Sequence, residues 1–132
     1  MMPHSPEVAR HVFVYGTLRR GGRNDIARYR PRPEYVADAR IEGTLYDLGA
    51  YPGAVLGGQG WIAGEVYRIT AAVEAELDAL EEVMPDDSGE YIKREVPVSV
   101  GQRWLECLVY EIHADRTSGR RVIAGGDWMI DR

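Results

Sequence analysis

The chain has 132 residues, with 16 Lys+Arg against 21 Asp+Glu and a formal net charge of −5. That length gives one domain with its own core and no room for separate cofactor and substrate halves, and the acidic balance argues against a nucleic-acid partner. The single cysteine, Cys107, excludes an internal disulfide and a cysteine cage for metal, and fits a reducing, cytoplasmic setting; no apolar run approaches the roughly 18 residues of a membrane span.

Residues 1–10 read as a flexible N-terminus, polar and without the apolar segment of a signal peptide. Residues 11–132 form the expected domain. Residues 11–15 (HVFVY) are a β-rich run that stops at Gly16. A loop follows over 16–22, and Asn24 caps a short helix to about Tyr29, ended by Pro31 and Pro33. Residues 34–48 predict one or two strands interrupted near Gly43. A turn at 49–53, a short strand at 54–56 and a second turn at 57–60 come next. Residues 61–69 predict a strand whose interior Gly64 marks a bulge or a close backbone approach. Residues 70–84 give the clearest helix, with Thr70 as N-cap, Pro85 just past the end and an apolar stripe of Val73, Leu77, Leu80 and Met84. After an exposed loop at 86–90, strands at 91–100 and 103–113 are joined by a tight Gly101-Gln102 turn. Residues 115–132 are a polar tail without periodicity. Leu105, Cys107 and Val109 alternate with Trp104, Leu108 and Ile112, so that strand is apolar on both faces, as in a central strand or a small barrel.

Three places carry possible chemistry. Tyr15, Gly16, Thr17 and Leu18 follow a strand directly. A chain that turns there at glycine presents successive N–H groups to a carboxylate or an oxyanion; a plain turn has the same residue types. Glu81 falls about 70° from the middle of the helix's apolar stripe, at its border. Burial there raises a carboxyl pKa toward the range of a general base, whereas a solvated border acid does no chemistry. Arg94 shares strand parity with Ile92, Val96 and Val98. It is either an inward charge needing a carboxylate or carbonyls, or an edge arginine reaching water. Cys107 reads as a small core residue. His4, His11 and His113 show no metal-ligand spacing, so no metal is expected. No serine sits in a nucleophile elbow, and no phosphate-binding glycine fingerprint follows Gly16. Arg19, Arg20, Arg23, Arg28, Arg30 and Arg32 form a basic patch, either a solvated surface or a site for an anion.

In order along the chain, these segments are specific. They are VYGTL at 14–18 with Arg19, Gly21 and Asn24; GTLYDLG at 43–49; YPGAV at 51–55; GEVY at 64–67; LDALE at 77–81; YIKR at 91–94; a strand ending near Tyr110; and GDW at 126–128. Together they resemble the gamma-glutamylcyclotransferase-like superfamily, in particular its small bacterial and gamma-glutamylamine cyclotransferase members. The resemblance implies an α+β fold, a small mixed β-barrel with flanking helices, and a cavity between the 15–18 loop and Glu81. It implies Glu81 as proton acceptor and the backbone of Tyr15, Gly16, Thr17 and Leu18 as the glutamyl-binding cradle. Arg94 and Tyr110, in matched segments, complete the expected substrate-binding set. The implied reaction releases 5-oxoproline from a small gamma-glutamyl substrate, without metal or cofactor, in a cytoplasmic monomer or homodimer. The chain departs from the family after the glutamate, where Glu82 replaces the usual Gly and the 84–90 loop is longer and more acidic. That departure motivates a second expectation, a ligand-binding module without catalysis on the same fold.

Overall fold

The computed structural model describes residues 10–82 and 89–131. The expected flexible terminus and most of the acidic loop lie outside the described residues.

Six strands form one mixed, curled sheet. They are β1 (Arg10–Val14), β2 (Glu34–Asp47), β3 (Pro52–Ile69), β4 (Tyr91–Val100), β5 (Arg103–Ile112) and β6 (Arg121–Val122). The order is β4-β5-β1-β3-β2-β6, and β3 also meets β5 at Ala54 and Glu111. Neighbours run antiparallel except where β5 lies parallel to β1, with His11 opposite Cys107 and Val12 opposite Leu108, and parallel to β3. The curl brings β2 against β4, which makes the sheet a half-barrel. Helix α1 (Ala71–Leu80) and the short α2 (Trp128–Asp131) flank it. This is the α+β, barrel-like architecture expected from the sequence.

The alternation on β1 and β5 explains the curl. Val12, Val14, Leu108, Tyr110 and Ile112 face α1, where they meet Val73 and Leu77. Phe13, Tyr15, Cys107 and Val109 face the barrel interior and meet Ile41, Ile62, Val66 and Val98. Strands apolar on both faces lie centrally, because each face has a layer to cover it. Trp104, expected to share in this, is 70% exposed, because it lies beside the hairpin tip at the free end of the strand.

The sequence and the structure differ at several boundaries. Residues 52–69 are one strand and not two. The GGQG at 57–60 bulges out between two paired stretches, with Glu42 opposite Trp61 and Gly43 opposite Leu56, and pairing resumes on both sides. Residues 34–47 are likewise a single strand with a register shift at Gly43. The short helical turn is a 3-10 segment, Ile26–Arg28, capped by Asp25 and not by Asn24. The side chain of Asn24 instead donates to Thr17 Oγ1 at 3.1 Å. The tail carries structure that its polarity hid: a 3-10 turn (Ala114–Thr117), β6 and α2. Thr70 caps α1 as expected, accepting from Val73 N–H at 3.2 Å. The helix stops at Leu80, however, and Leu80 is 42% exposed, so only Val73 and Leu77 of the stripe are core; Met84 lies outside the described residues.

Candidate active site

A cavity of about 250 Å³ opens where β1 ends and α1 ends. Two segments face each other across it. One is the loop of Tyr15, Gly16, Thr17 and Leu18; the other is the last turn of α1, with Leu80, Glu81 and Glu82. Tyr51, Pro52, Glu90, Tyr91 and Tyr110 complete much of the wall.

The loop is held tightly. A Cβ on Gly16 would fall 2.7 Å from Pro52 Cγ, so only glycine lets β3 pack this closely. The carbonyls of Gly16, Thr17 and Leu18 accept from the N–H groups of Arg19 (3.0 Å), Asn24 (2.9 Å) and Ile26 (3.0 Å). Among the described residues, the N–H groups of Gly16, Thr17 and Leu18 donate to no backbone carbonyl. All three residues line the cavity. The Tyr15 hydroxyl is buried away from them. It donates to Tyr110 C=O at 2.5 Å and accepts from Ala54 N–H at 3.2 Å, and burial pushes its pKa up. The Tyr15 side chain therefore pins the end of β1 into the barrel.

Behind the loop lies an ionic cluster whose bonding did not follow from the residue pattern. Glu65, 5% exposed, accepts from Arg19 Nε at 3.1 Å, from Arg20 N–H at 2.9 Å and from the Tyr67 hydroxyl at 2.8 Å. Another arm of Arg19 reaches Asp127 at 2.8 Å, and Asp127 also accepts from Met129 N–H in α2 at 3.0 Å. The loop, β3 and the C-terminal helix are thus tied at one point. The signal was present in GEVY and GDW, but nothing in residue type said that those two carboxylates share one arginine.

The opposite wall is arranged differently. Glu81 caps α1, its N–H bonding to Leu77 C=O at 2.9 Å. Its carboxyl is partly buried in the cavity and has no hydrogen-bond partner among the described residues. Burial, and secondarily the charge of Glu90, push its pKa up to about 7. The next residue, Glu82, sits at φ 55°. That left-handed conformation at the position after a helix end is the one glycine adopts most readily. Glu82 therefore occupies a helix-terminating turn under strain.

Tyr110 lines the cavity with its hydroxyl bonded to Asp78 at 2.7 Å. Asp78 and Glu74 in turn share Lys93, at 2.9 and 2.5 Å. Asp78, within the LDALE segment, thus ties the tyrosine to the helix one turn before Glu81. Tyr91 donates to Pro52 C=O at 2.8 Å, and Tyr51 donates to Glu90 at 2.5 Å. Of the expected site residues, Tyr15, Gly16, Thr17, Leu18, Glu81 and Tyr110 come together at this cavity. Arg94 does not line it. Its side chain is 48% exposed and bonds Glu111 at 2.9 Å, while Glu111 also accepts from Leu56 N–H at 2.9 Å. The cation of β4 that reaches the helix next to the site is its neighbour Lys93. Adjacent strand residues face opposite ways, so Lys93 meets α1 while Arg94, on the parity of Val96 and Val98, bonds Glu111 instead.

Comparison with known proteins agrees with this geometry. The family model for gamma-glutamyl cyclotransferase, AIG2-like, matches residues 12–130. The gamma-glutamylcyclotransferase family protein YtfP of Escherichia coli K12 is 39% identical over 119 residues, covering 89% of this chain and 95% of its own. The solution structure of YtfP from E. coli superposes with a TM-score of 0.59 at 36% identity, over 90% of this chain and 96% of that one. The gamma-L-glutamyl-butirosin B gamma-glutamyl cyclotransferase of Niallia circulans is 37% identical over 104 residues, which is 76% of this chain and 58% of that relative. An AIG2-like protein from mouse shares the fold, with a TM-score of 0.69 at 23% identity over 86% of this chain and 84% of its own. The chain belongs to the gamma-glutamyl cyclotransferase, AIG2-like family of enzymes.

Proposed function

We propose that this protein converts a gamma-glutamyl amide or peptide to 5-oxoproline and a free amine or amino acid, with Glu81 as general base and then general acid. The observation that carries the reading is Glu81 itself: a partly buried carboxyl, pKa about 7, on the cavity that the 15–18 loop also lines. A base poised near neutrality is half ionised where it works and still returns the proton readily.

The substrate's α-ammonium gives up a proton to the Glu81 carboxylate, directly or through water, and the freed amine attacks the γ-carbonyl carbon. The new C–N bond closes a five-membered ring. Glu81 carries a proton from the attacking nitrogen to the leaving nitrogen as the scissile C–N bond breaks. The spare N–H groups of Gly16, Thr17 and Leu18 hold the glutamyl group and its developing oxyanion. Folding the substrate between two fixed walls removes much of the orientational barrier to ring closure. The chemistry requires neither metal nor cofactor. The binding-module reading drew on Glu82, and its φ of 55° gives that residue a backbone explanation that leaves the Glu81 carboxyl on the cavity.

The test is a panel of gamma-glutamyl peptides, amino acids and alkylamides assayed for 5-oxoproline. Turnover of at least one member, lost in Glu81→Gln, is the expected outcome. Full activity in Glu81→Gln removes the assigned role, and ligand binding without product from any member favours the module.

A further inference from the structure

The arginine patch at 19–32 resolves into residues with different duties. Arg19 is held by Glu65 and Asp127. Arg20 lies over the Tyr35 ring, 4.7 Å from its centre. Arg30 donates to the carbonyls of Ala27 and Tyr29 at 2.7 and 2.9 Å. Arg23 lines the cavity, and among the described residues it is the cavity's one lysine or arginine. Its guanidinium has no ion pair or hydrogen bond with any described residue.

The backbone beneath Arg23 is fixed on both sides. Gly22 N–H bonds Arg19 C=O at 2.8 Å, Asn24 N–H bonds Thr17 C=O at 2.9 Å, and the Asn24 side chain bonds Thr17 Oγ1 at 3.1 Å. Asp25 closes the turn by accepting from Gly21 N–H and Ala27 N–H, both at 2.9 Å. Arg23 is thus a free cation on a braced loop, directly beside the cradle. Among the described residues, the other ionisable carboxyls on the cavity are those of Glu81, Glu82 and Glu90. A gamma-glutamyl substrate necessarily carries a carboxylate into that acidic surround. Like charges repel, and a cation in the same wall offsets the repulsion. A guanidinium matches a carboxylate by two parallel hydrogen bonds, which an ammonium does not.

We propose that Arg23 is the specificity residue that pairs with a substrate carboxylate in this site, an inference that rests on the cyclotransferase reading above. The carboxylate is either the α-carboxylate of the glutamyl group or one on the leaving amino acid.

The experiment compares the full-length wild type, Arg23→Gln and Arg23→Lys on two substrates. One is a gamma-glutamyl alkylamide, with a single carboxylate; the other is a gamma-glutamyl amino acid, with two. Loss of a charge-assisted pair is expected to raise KM about tenfold or more in Arg23→Gln, with kcat within about twofold and Arg23→Lys intermediate. A rise on both substrates assigns the α-carboxylate; a rise confined to the amino-acid substrate assigns the leaving group. Unchanged KM on both overturns the proposal. If the wild type turns over neither, Arg23 is read by calorimetric binding of the two unreacted compounds, and the cyclotransferase reading fails by itself if no other gamma-glutamyl compound gives product. Binding of either compound weakened about tenfold in Arg23→Gln sustains the pairing; equal binding of both, or none to the wild type, overturns it.

Discussion

On one side of the cavity, the loop carrying Gly16, Thr17 and Leu18 has its carbonyls bonded, its glycine packed under Pro52, and Arg19 locked behind it by two carboxylates. On the other side, Glu81 has no partner for its carboxyl among the described residues, and the residue after it is held at a positive φ. Under the proposed function, the contrast follows from what each wall would contribute. A cradle works by geometry, so every tie that fixes it helps. A base near neutral pH works by being under-satisfied. An N–H donor or a cation aimed at Glu81 would stabilise the charged form and return its pKa to the usual carboxylate range.

The sharpest way to break this comparison is Glu81→Gln. If the wall is a base and not a prop, kcat falls about 10²- to 10⁴-fold while the fold is kept. The same variant has a stability signature. The carboxyl's pKa is about 7 in the folded chain against 4.5 for a solvated glutamate, so between those limits the folded state binds more protons than the unfolded state. Stability contributed by the protonated form is complete below about pH 4.5 and is lost as pH rises through about 7. Urea titrations at both ends of that window should show the loss in wild type and a smaller one in Glu81→Gln. Equal pH dependence in the two would place the buried acid elsewhere.

Arg19→Met attacks the other wall and should do the opposite. It leaves Glu65 and Asp127 without their shared cation; Glu65 is buried, and Arg19's own side chain is 12% exposed. Breaking one partner out of a buried ionic cluster costs about 3–5 kcal/mol. Chemical denaturation should show that loss, and activity should fall with it because the cradle is no longer held from behind. Loss of activity without loss of stability would mean that Arg19 touches substrate directly.

How much of this was legible beforehand follows the same division. The 15–18 turn, the capped helix and the β4–β5 hairpin are local patterns, and Thr70, Gly16 and Gly101 mark them in the chain itself. Glu81 was legible because a helical border position is computed from spacing alone. The Arg19–Glu65–Asp127 cluster was not, because its members are up to 108 positions apart and only the curl of the sheet brings them together. Arg94 was read from parity for a related reason: parity gives a face but not what that face meets, and its partner Glu111 lies on β5. The GGQG at 57–60 was read as an end to pairing because glycine favours turns. Its flanks keep their partners on β2, and long-range pairing prevailed over local propensity.

Glu82→Gly sharpens the comparison from the strained side. A residue with a Cβ at φ 55° loses energy that glycine does not, and the gain is partly offset by the greater freedom of glycine in the unfolded chain. A net stabilisation of about 0.5–1 kcal/mol is expected in urea unfolding, with 5-oxoproline production retained. A large loss of activity would show that the Glu82 carboxylate takes part in substrate choice.

The smallest effect tests whether the under-satisfied wall is tuned by charge as well as by burial. Glu90 lies on the same cavity and raises the pKa of Glu81, second to burial. Glu90→Gln removes that like charge while leaving Tyr51 an oxygen to bond. The Glu81 anion then becomes easier to form, and the acid limb of kcat/KM, where activity rises as the base ionises, moves to lower pH. The move should be a minor part of the whole displacement, since burial is the larger cause and the variant leaves the cavity closed. High salt should shrink it further to the extent that Glu90 acts through solvent. An acid limb that stays in place would assign the tuning of Glu81 to burial alone. One that moves upward would mean that Glu90 supports the anion through Tyr51, and the two walls would then be less separate than their hydrogen bonds indicate.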